Sequence, residues 1–385
     1  MINLFQPQVG ELESTAITEV MDSRWIGHGP RTTAFEEEFA RHLKVEPEHV
    51  LFLASGTASL FLAVELLGLG LEDEVVLPSV NFVAAANSVL ASGATPVFCD
   101  VDERTLNPSV EDVAAVVTPR TRAVIVLHYG GHPGDITAIT RFCAQRGLEL
   151  IEDAACSVAS RVDGRAVGTF GNMAFWSFDA MKVLTTGDGG MLYIRDRERA
   201  EQARRLAYHG LAVSSGLRGA RIAGQWWKMD VAEPGRRIIG NDLTAAMGSV
   251  QLGRLTEFIT RRRELTELYD YHLEGVEGLD LPPPPLAGHE SSYYFYWVQI
   301  DADLRDDVAA DLFRAGIYTT FRYEPLHFVP IYGFTGSLPH TERLARRTLC
   351  LPLHPGLSNE DVSTVSAELI RSLAHRRASV QTADN

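Results

Sequence analysis

One lysine is a candidate for covalent chemistry. The chain has 35 lysine and arginine residues, but only Lys44, Lys182 and Lys228 are lysines, and Lys182 lies in the glycine-rich segment 177–190. An ammonium group can lose its proton and form a Schiff base with a carbonyl compound, whereas a guanidinium stays protonated. Lys182 is therefore a candidate for holding a carbonyl cofactor, although its spacing alone fits a surface lysine in a loop equally well.

A carboxylate with an unusual position is the second candidate. Asp153 comes at the end of an apolar run, residues 148–151, where a charged carboxylate loses hydration unless a positive group lies beside it. The protonated ring nitrogen of pyridoxal phosphate (PLP) is such a group. PLP enzymes combine a Schiff-base lysine with an acid for this nitrogen, a phosphate site and an aromatic ring.

Residues for the phosphate and the ring lie nearer the N-terminus. Ser55-Gly56-Thr57 lies between a predicted strand and a predicted helix, where free backbone N–H groups can bind a phosphate. A glycine at such a place is also typical of an ordinary tight turn. Phe82 could stack on a cofactor ring, but a single phenylalanine is more often part of a hydrophobic core.

The elements that must position these residues alternate between strands and helices. Strands are predicted at residues 50–54, 74–78, 96–101, 123–128 and 148–153, and helices at 58–67, 83–91 and 136–145. This order predicts an α/β fold with a mostly parallel sheet covered by helices. Ligands bind at the carboxyl ends of such strands, so the loops at 55–57, 81–82 and 153–154 should converge.

Two features indicate a second domain. A helical stretch is predicted at residues 243–273, and four consecutive prolines at 282–285 predict a stiff, extended connector. We therefore predict a large domain at residues 1–255, which includes the N-terminal segment, and a smaller C-terminal α/β domain at residues 256–385.

Composition excludes several classes of partner. The formal net charge of −15 argues against nucleic acid, whose phosphates would be repelled. Cys99, Cys143, Cys156 and Cys350 do not have the spacing of metal ligands or of a disulfide framework. No segment has the pattern of a targeting peptide or a membrane span. These observations predict a cytoplasmic protein that binds neither metal, nucleic acid nor membrane.

Short motifs follow one another in a fixed order along nearly the whole chain. They are Gly27-His28-Gly29-Pro30, Ser55-Gly56-Thr57-Ala58, Gly93-Ala94-Thr95-Pro96, Glu152-Asp153-Ala154-Ala155, Gly168-Thr169-Phe170-Gly171, the segment 177–190, Gln251-Leu252 and Leu351-Pro352-Leu353-His354-Pro355. In this order the chain resembles the DegT/DnrJ/StrS nucleotide-sugar aminotransferases. The resemblance implies the fold type I architecture of PLP-dependent aminotransferases.

The resemblance also assigns roles to the candidate residues. Lys182 would carry PLP as a Schiff base and move the proton between substrate and cofactor, Asp153 would keep the ring nitrogen protonated, and Phe82 would stack on the ring. The phosphate would be bound by Gly56, Thr57 and Ser177. Sugar dehydrases of the same family have a histidine in place of the lysine, so Lys182 implies transamination, with pyridoxamine phosphate (PMP) as the second cofactor form.

Two positions depart from the family pattern. Cys156 stands where relatives usually have glutamine or histidine beside the cofactor, and a thiol is a weak hydrogen-bonding group there. Its alternative role is packing as a small buried side chain. Arg237 stands where relatives have an asparagine that reaches the cofactor phosphate of the neighbouring subunit. We expect Arg237 to bind that phosphate, which would make the functional unit a homodimer with shared active sites.

The predicted reaction moves an amino group from L-glutamate to C4 of a nucleotide-activated keto-deoxysugar, with dTDP as the predicted nucleotide, for antibiotic or other specialised-metabolite glycosylation. The alternatives are a 3-keto-sugar nucleotide aminotransferase and a non-catalytic PLP-binding partner or regulator of another sugar enzyme. A dinucleotide-dependent dehydrogenase would need a G-x-G-x-x-G motif, which residues 55–60 lack. Candidates for sugar-nucleotide contacts are Trp25, His28, Arg31, Tyr129, Trp226, Trp227, Arg322, Tyr323 and His327.

Overall fold

The structure is a computed structural model that describes residues 1–212, 227 and 229–383, with side chains up to residue 379. Its α-helices are α1 (Glu11–Ser23), α2 (Pro30–Leu43), α3 (Gly56–Glu65), α4 (Ala84–Ala91), α5 (Val110–Val116), α6 (Ile136–Arg146), α7 (Arg197–Ala207), α8 (Asp242–Gly253), α9 (Leu255–Leu273), α10 (Ala302–Arg314), α11 (Pro339–Arg347) and α12 (Asn359–Ala383). None of these described helices is both long and apolar enough to cross a membrane.

Most strands alternate with the helices along the chain. They are β1 (Val50–Leu53), β2 (Glu74–Pro78), β3 (Thr95–Cys99), β4 (Thr121–Leu127), β5 (Glu149–Asp153), β6 (Arg161–Val162), β7 (Arg165–Ala166), β8 (Met173–Ser177), β9 (Gly190–Ile194), β10 (Leu279–Asp280), β11 (His289–Glu290), β12 (Tyr296–Ile300) and β13 (Thr348–Leu351).

A seven-stranded sheet in the order β1-β9-β8-β5-β4-β2-β3 forms the centre of the molecule. The pairs from β8 through β3 are parallel, and β9 runs antiparallel to both of its neighbours. The predicted mostly parallel sheet is therefore confirmed. Two smaller sheets, β10-β12-β13 and β11-β6-β7, complete the strand pairing.

Both faces of the central sheet are buried. Along β1, Val50 and Phe52 belong to one hydrophobic cluster, whereas Leu51 and Leu53 belong to another. Successive side chains of a strand point to opposite faces, so each cluster covers one face. A third cluster runs from Leu265 to Leu373 and is built on β12 and β13. Phe258 and Trp297 belong to the predicted C-terminal domain but pack in the first cluster. The predicted domain boundary between residues 255 and 256 therefore stays a prediction.

The predicted helical stretch 243–273 forms two helices. Helix α8 ends at Gly253 and helix α9 begins at Leu255. Glycine is a poor helix former, and Arg254 between the helices forms an ion pair of 2.9 Å with the carboxylate of Glu13 in α1. This tertiary contact holds the residue between the two helices against α1, and it involves a residue too distant in sequence for the helical pattern to reveal it.

Candidate active site

A cavity of about 330 Å³ lies at the carboxyl ends of the parallel strands. It is lined by Ser55, Gly56, Thr57, Leu60, Phe82, Ala84, Ala85, Leu127, Asp153, Ala155, Phe175, Ser177, Asp179, Met181, Lys182, Asp188, Tyr294, Arg322 and Tyr323. The predicted convergence of the loops after β1, β2 and β5 is therefore confirmed. Among the described residues, no group of three or more His, Cys, Asp or Glu side chains is placed to hold a metal ion.

Lys182 lies on the loop that connects β8 with β9, and both ends of this loop are anchored. The backbone N–H of Phe178 donates to the carbonyl of Gly189 over 2.8 Å, and that of Thr186 donates to the carbonyl of Phe178 over 2.9 Å. The Phe178 ring is fully buried among other aromatic rings, including that of Phe39 at 5.6 Å. The loop therefore presents Lys182 to the cavity from a fixed base.

Polar and aromatic groups surround the amine of Lys182. Its Nζ atom lies 3.8 Å from Sγ of Cys156 and 4.8 Å from the centre of the Tyr294 ring. Desolvation alone lowers the pKa of Lys182, but Cys156, Tyr294 and Asp153 together raise it above its ordinary value. The charged form of the Lys182 amine is therefore favoured in this cluster.

The Asp153 carboxyl group lies at the end of β5 with only 3% of the residue exposed. Its Oδ1 atom accepts one hydrogen bond, from the backbone N–H of Ala155, over 3.1 Å. Burial raises the pKa of Asp153 to about 6, although Ala155 and Lys182 both favour the charged form. This carboxylate is under-solvated, so a protonated ring nitrogen placed beside it would be stabilised.

The first turn of α3 meets the end of β8 closely. Ser55 caps the helix through its Oγ atom, which accepts from the N–H of Ala58 over 3.0 Å. A Cβ atom added to Gly56 would lie 2.7 Å from Cβ of Ser177, so only glycine allows the Ser177 hydroxyl this close to the helix N-terminus. The N–H groups of the first turn and this hydroxyl can bind a phosphate together.

Phe82 follows β2 and forms a side wall of the cavity. The residue is 49% exposed, and its ring centre lies 5.8 Å from that of Tyr323 at an angle of 56°. An apolar ring that is half exposed inside a cavity loses little by stacking on a planar ligand and gains the burial of its free face.

Two aromatic residues of the site were missed by sequence reasoning. Phe5 stacks on Tyr294 with a centroid distance of 5.2 Å and an interplanar angle of 7°. Tyr294 also lies beneath the amine of Lys182, and the Arg322 guanidinium lies 5.2 Å from the centre of the Phe5 ring. Neither aromatic residue belongs to a motif, so no local signal marked them.

Arg322 and Tyr323 line the cavity, whereas the other described candidates for sugar-nucleotide contacts lie outside its lining. Tyr129 is fully buried and its hydroxyl donates to the Arg322 carbonyl, while Trp25 donates through Nε1 to the carbonyl of His28 over 3.0 Å. Arg31 forms a 2.9 Å ion pair with Glu19. His327 bonds to Ser79, and Trp227 is exposed. Trp226 lies outside the described residues.

Arg237 is exposed and also lies outside this cavity. Its guanidinium lies 5.3 Å from the centre of the Tyr208 ring, and the backbone of the two residues forms an antiparallel bridge. Its predicted role, contact with the cofactor phosphate of a second subunit, stays a prediction.

The residues present fit PLP. Around one space the cavity places an amine, a helix N-terminus, a half-exposed aromatic ring and a buried carboxylate. In the part of the chain that the structure describes, this carboxylate has no cationic hydrogen-bond partner. Together, the sheet and this site define the fold type I class of aminotransferases. The chain belongs to the DegT/DnrJ/EryC1/StrS aminotransferase family, whose profile matches residues 7–370. The prediction of a sugar-nucleotide aminotransferase is confirmed.

Relatives with known names agree with this assignment. The chain is 58% identical, over 97% of its length and 97% of the other protein, to a dTDP-4-dehydro-2,3,6-trideoxy-D-glucose 4-aminotransferase of Saccharopolyspora spinosa. It shares 56% identity and a TM-score of 0.93 with the crystal structure of an aminotransferase, TlmJ, from Streptoalloteichus hindustanus, over 97% of this chain and 99% of that chain.

The fold also matches a structure that was solved with its cofactor. Spr1654 from Streptococcus pneumoniae, in its PLP-form, has a TM-score of 0.88 at 24% identity, over 97% of this chain and 99% of that chain. It was also solved in its PMP-form.

Proposed function

We propose that the protein transfers the amino group of L-glutamate to the 4-keto carbon of a dTDP-linked deoxysugar, for antibiotic or other specialised-metabolite glycosylation. The observation that carries this proposal is the position of Lys182, whose amine lies in the same cavity as the buried Asp153 and the N-terminus of α3. The choice of C4 and of dTDP rests on the 58% identical relative.

PLP would supply the electron sink for this reaction when it is bound. The chain's own residues would place it: Asp153 beside the ring nitrogen, Phe82 against the ring face and Lys182 at the carbonyl carbon. The phosphate would lie against Gly56, Thr57 and Ser177. Lys182 would then take a proton from one carbon and return it to another, as a general base and acid.

The proposed reaction balances without any external oxidant or reductant. A carbon–nitrogen bond breaks at glutamate, which is oxidised to 2-oxoglutarate, and a carbon–nitrogen bond forms at C4, where the ketone is reduced to the amine. The two substrates must enter the same cavity in turn. Its residues must therefore accept both a small dicarboxylate and a sugar nucleotide.

A homodimer with shared active sites is part of the proposal. Arg237 does not line the cavity of its own subunit, and its exposed guanidinium lies over the Tyr208 ring, where a second copy could contact it. An arginine suits a phosphate because its planar group donates two parallel hydrogen bonds. In this arrangement each active site would combine Lys182 of one subunit with Arg237 of the other.

Absorbance spectra of the PLP-reconstituted enzyme test the function. L-Glutamate should convert the PLP spectrum to that of PMP, and a dTDP-4-keto-6-deoxysugar should restore it. The position of the new amine in the product, determined by NMR, distinguishes C4 from C3 amination. A PLP-loaded protein whose spectrum neither glutamate nor glutamine changes would refute the proposed transamination and favour a binding partner of another sugar enzyme.

A further inference from the structure

Arg322 supplies the one guanidinium in the described lining of the cavity. The other charged groups there are the ammonium of Lys182 and the carboxylates of Asp153, Asp179 and Asp188. Three carboxylates against one lysine would repel an anionic substrate, and both proposed substrates are anions. A second cation in the lining therefore reduces this repulsion and favours binding of an anionic substrate.

Within residues 1–212, 227 and 229–379, the Arg322 guanidinium has no carboxylate partner. Its contacts are the face of the Phe5 ring, at 5.2 Å from the ring centre, and the Sδ atom of Met181, at 3.9 Å from Nη2. Among the described residues no Asp or Glu oxygen comes within ion-pair distance of it, whereas other arginines along the chain are paired in this way. A half-buried guanidinium with unused donors is suited to binding an anionic ligand.

The surroundings hold Arg322 in position. The carbonyl of Arg322 accepts the hydroxyl hydrogen bond of the fully buried Tyr129, which fixes the backbone. Phe5, on which the guanidinium rests, is itself stacked on Tyr294, and Tyr294 lies 4.8 Å beneath the amine of Lys182. One aromatic pair therefore supports both cations of the cavity.

We propose that Arg322 binds the α-carboxylate of the amino donor, a claim that rests on the proposed function in taking an amino acid as donor. The α-carboxylate is one bond from the carbon that reacts, so it must lie within the cavity that contains Lys182. The diphosphate of a sugar nucleotide is separated from the keto carbon by the sugar ring and lies farther out. A planar carboxylate also matches the guanidinium with two parallel hydrogen bonds.

The test compares Arg322→Gln, Arg322→Lys and the wild type as PLP-loaded enzymes. Arg322→Gln should raise the L-glutamate concentration for half-maximal conversion to PMP by about 10- to 100-fold, since it removes a charged hydrogen-bonded pair. For Arg322→Lys, this glutamate concentration should lie between those of Arg322→Gln and the wild type. The conversion of the PMP form by the dTDP-4-ketosugar should change by less than about 3-fold, a range typical of an uninvolved surface contact.

Donor analogues identify which carboxylate is bound. L-Isoglutamine, in which the α-carboxylate is an amide, should be a poor donor for the wild type, and Arg322→Gln should lose most of the preference for glutamate over isoglutamine. α-Methyl-L-glutamate has no α-hydrogen, so its binding can be measured by calorimetry without turnover and should weaken by the same factor. Arg263→Gln is the matched control, because Arg263 is an exposed arginine of helix α9 and should leave all these values unchanged.

Three results would overturn the proposal. A larger loss with the ketosugar than with glutamate would assign Arg322 to the diphosphate. Unchanged binding of α-methyl-L-glutamate would leave it a packing residue on Phe5, and equal losses in both half-reactions would indicate general damage to the cavity. The glutamate half-reaction is read without any sugar, so failure of the proposed sugar substrate would not be mistaken for failure of Arg322.

Discussion

Oγ of Ser79 lies 2.7 Å from Nδ1 of His327, and both residues are buried. The backbone N–H of His327 also donates to this hydroxyl over 3.1 Å. Ser79 follows β2 and precedes Phe82, whereas His327 follows the segment 322–323. These bonds therefore join two walls of the cavity, although His327 itself does not line the cavity.

The Ser79–His327 contact should be visible in stability. Ser79→Ala and His327→Ala should each lower the free energy of unfolding by about 1–3 kcal/mol, because each leaves a buried polar group unpaired. Urea unfolding of both variants and of the double variant measures the coupling. The double variant should cost clearly less than the two single changes added together, and additive losses would contradict the direct contact.

Lys182 should be the residue that links to the cofactor. Reduction of the PLP-loaded protein with borohydride, followed by peptide mapping, should place the label on Lys182 and none on the exposed Lys44. Lys182→Ala should still bind PLP without a covalent link and lose at least about 1,000-fold in turnover, since it removes the general base. Lys44→Arg serves as the control. A label on another lysine, or retained turnover, would contradict the assignment.

The charged carboxylate of Asp153 should lower the free energy of unfolding when PLP is absent. Its pKa rises from 3.8 to about 6 on folding, so the folded state binds more protons between these values and loses stability as the pH rises through them. Asp153→Asn keeps the acceptor for Ala155 and should stabilise the PLP-free protein by about 3 kcal/mol at pH 8, and by about half as much at pH 5.

Thermal and urea unfolding at the two pH values measure this difference. The same substitution should abolish most turnover and reduce the stabilisation that PLP gives. A PLP-free Asp153→Asn protein that is no more stable than the wild type at pH 8 would show that the carboxylate is already well solvated.

Gly56 should be required for the phosphate site. In Gly56→Ala the new methyl group would lie 2.7 Å from Cβ and 3.0 Å from Cα of Ser177, so β8 or the start of α3 must move. PLP affinity, measured by fluorescence titration, should fall by at least about 10-fold as the N–H groups lose their alignment. Gly253→Ala, with no atom within 4 Å of the new Cβ, is the control and should leave PLP affinity unchanged.

Mixed dimers test the sharing of active sites. Lys182→Ala and Arg237→Ala should each be nearly inactive alone, because one lacks the base and the other a phosphate contact. If Arg237 serves the neighbouring subunit, a mixed dimer has one site with both residues intact. Random mixing of the two variants should then restore about a quarter of the wild-type activity per dimer. No recovery after subunit exchange would place Arg237 outside the partner's site.

The strand and helix order along β1 to β5 could be predicted from sequence because each element carries its own pattern. The burial of both sheet faces follows from near-continuous apolar runs such as β2. The convergence of Gly56, Phe82 and Asp153 could also be predicted, since parallel strands place their carboxyl ends at one edge.

The wall opposite the sheet could not be predicted in the same way. Phe5 and Tyr294 meet by packing between distant segments, and neither carries a local signal. Arg322 and His327 are five positions apart and were equally good candidates, yet one lines the cavity and the other bonds to Ser79. Which side chain points into the cavity depends on the tertiary path of the loop. Hydrophobic periodicity in the sequence does not predict that path.

The stack of Phe5 on Tyr294 joins the first residues of the chain to its last third. Ile2 is also held there, through its N–H bond to the carbonyl of Gly316 over 2.7 Å. During synthesis the chain folds from its N-terminus, so the segment around Phe5 must wait, unpaired, until Tyr294 and then Arg322 have left the ribosome. The central sheet can form early, but the pocket that it supports cannot close until Arg322 and Tyr323 have been synthesised.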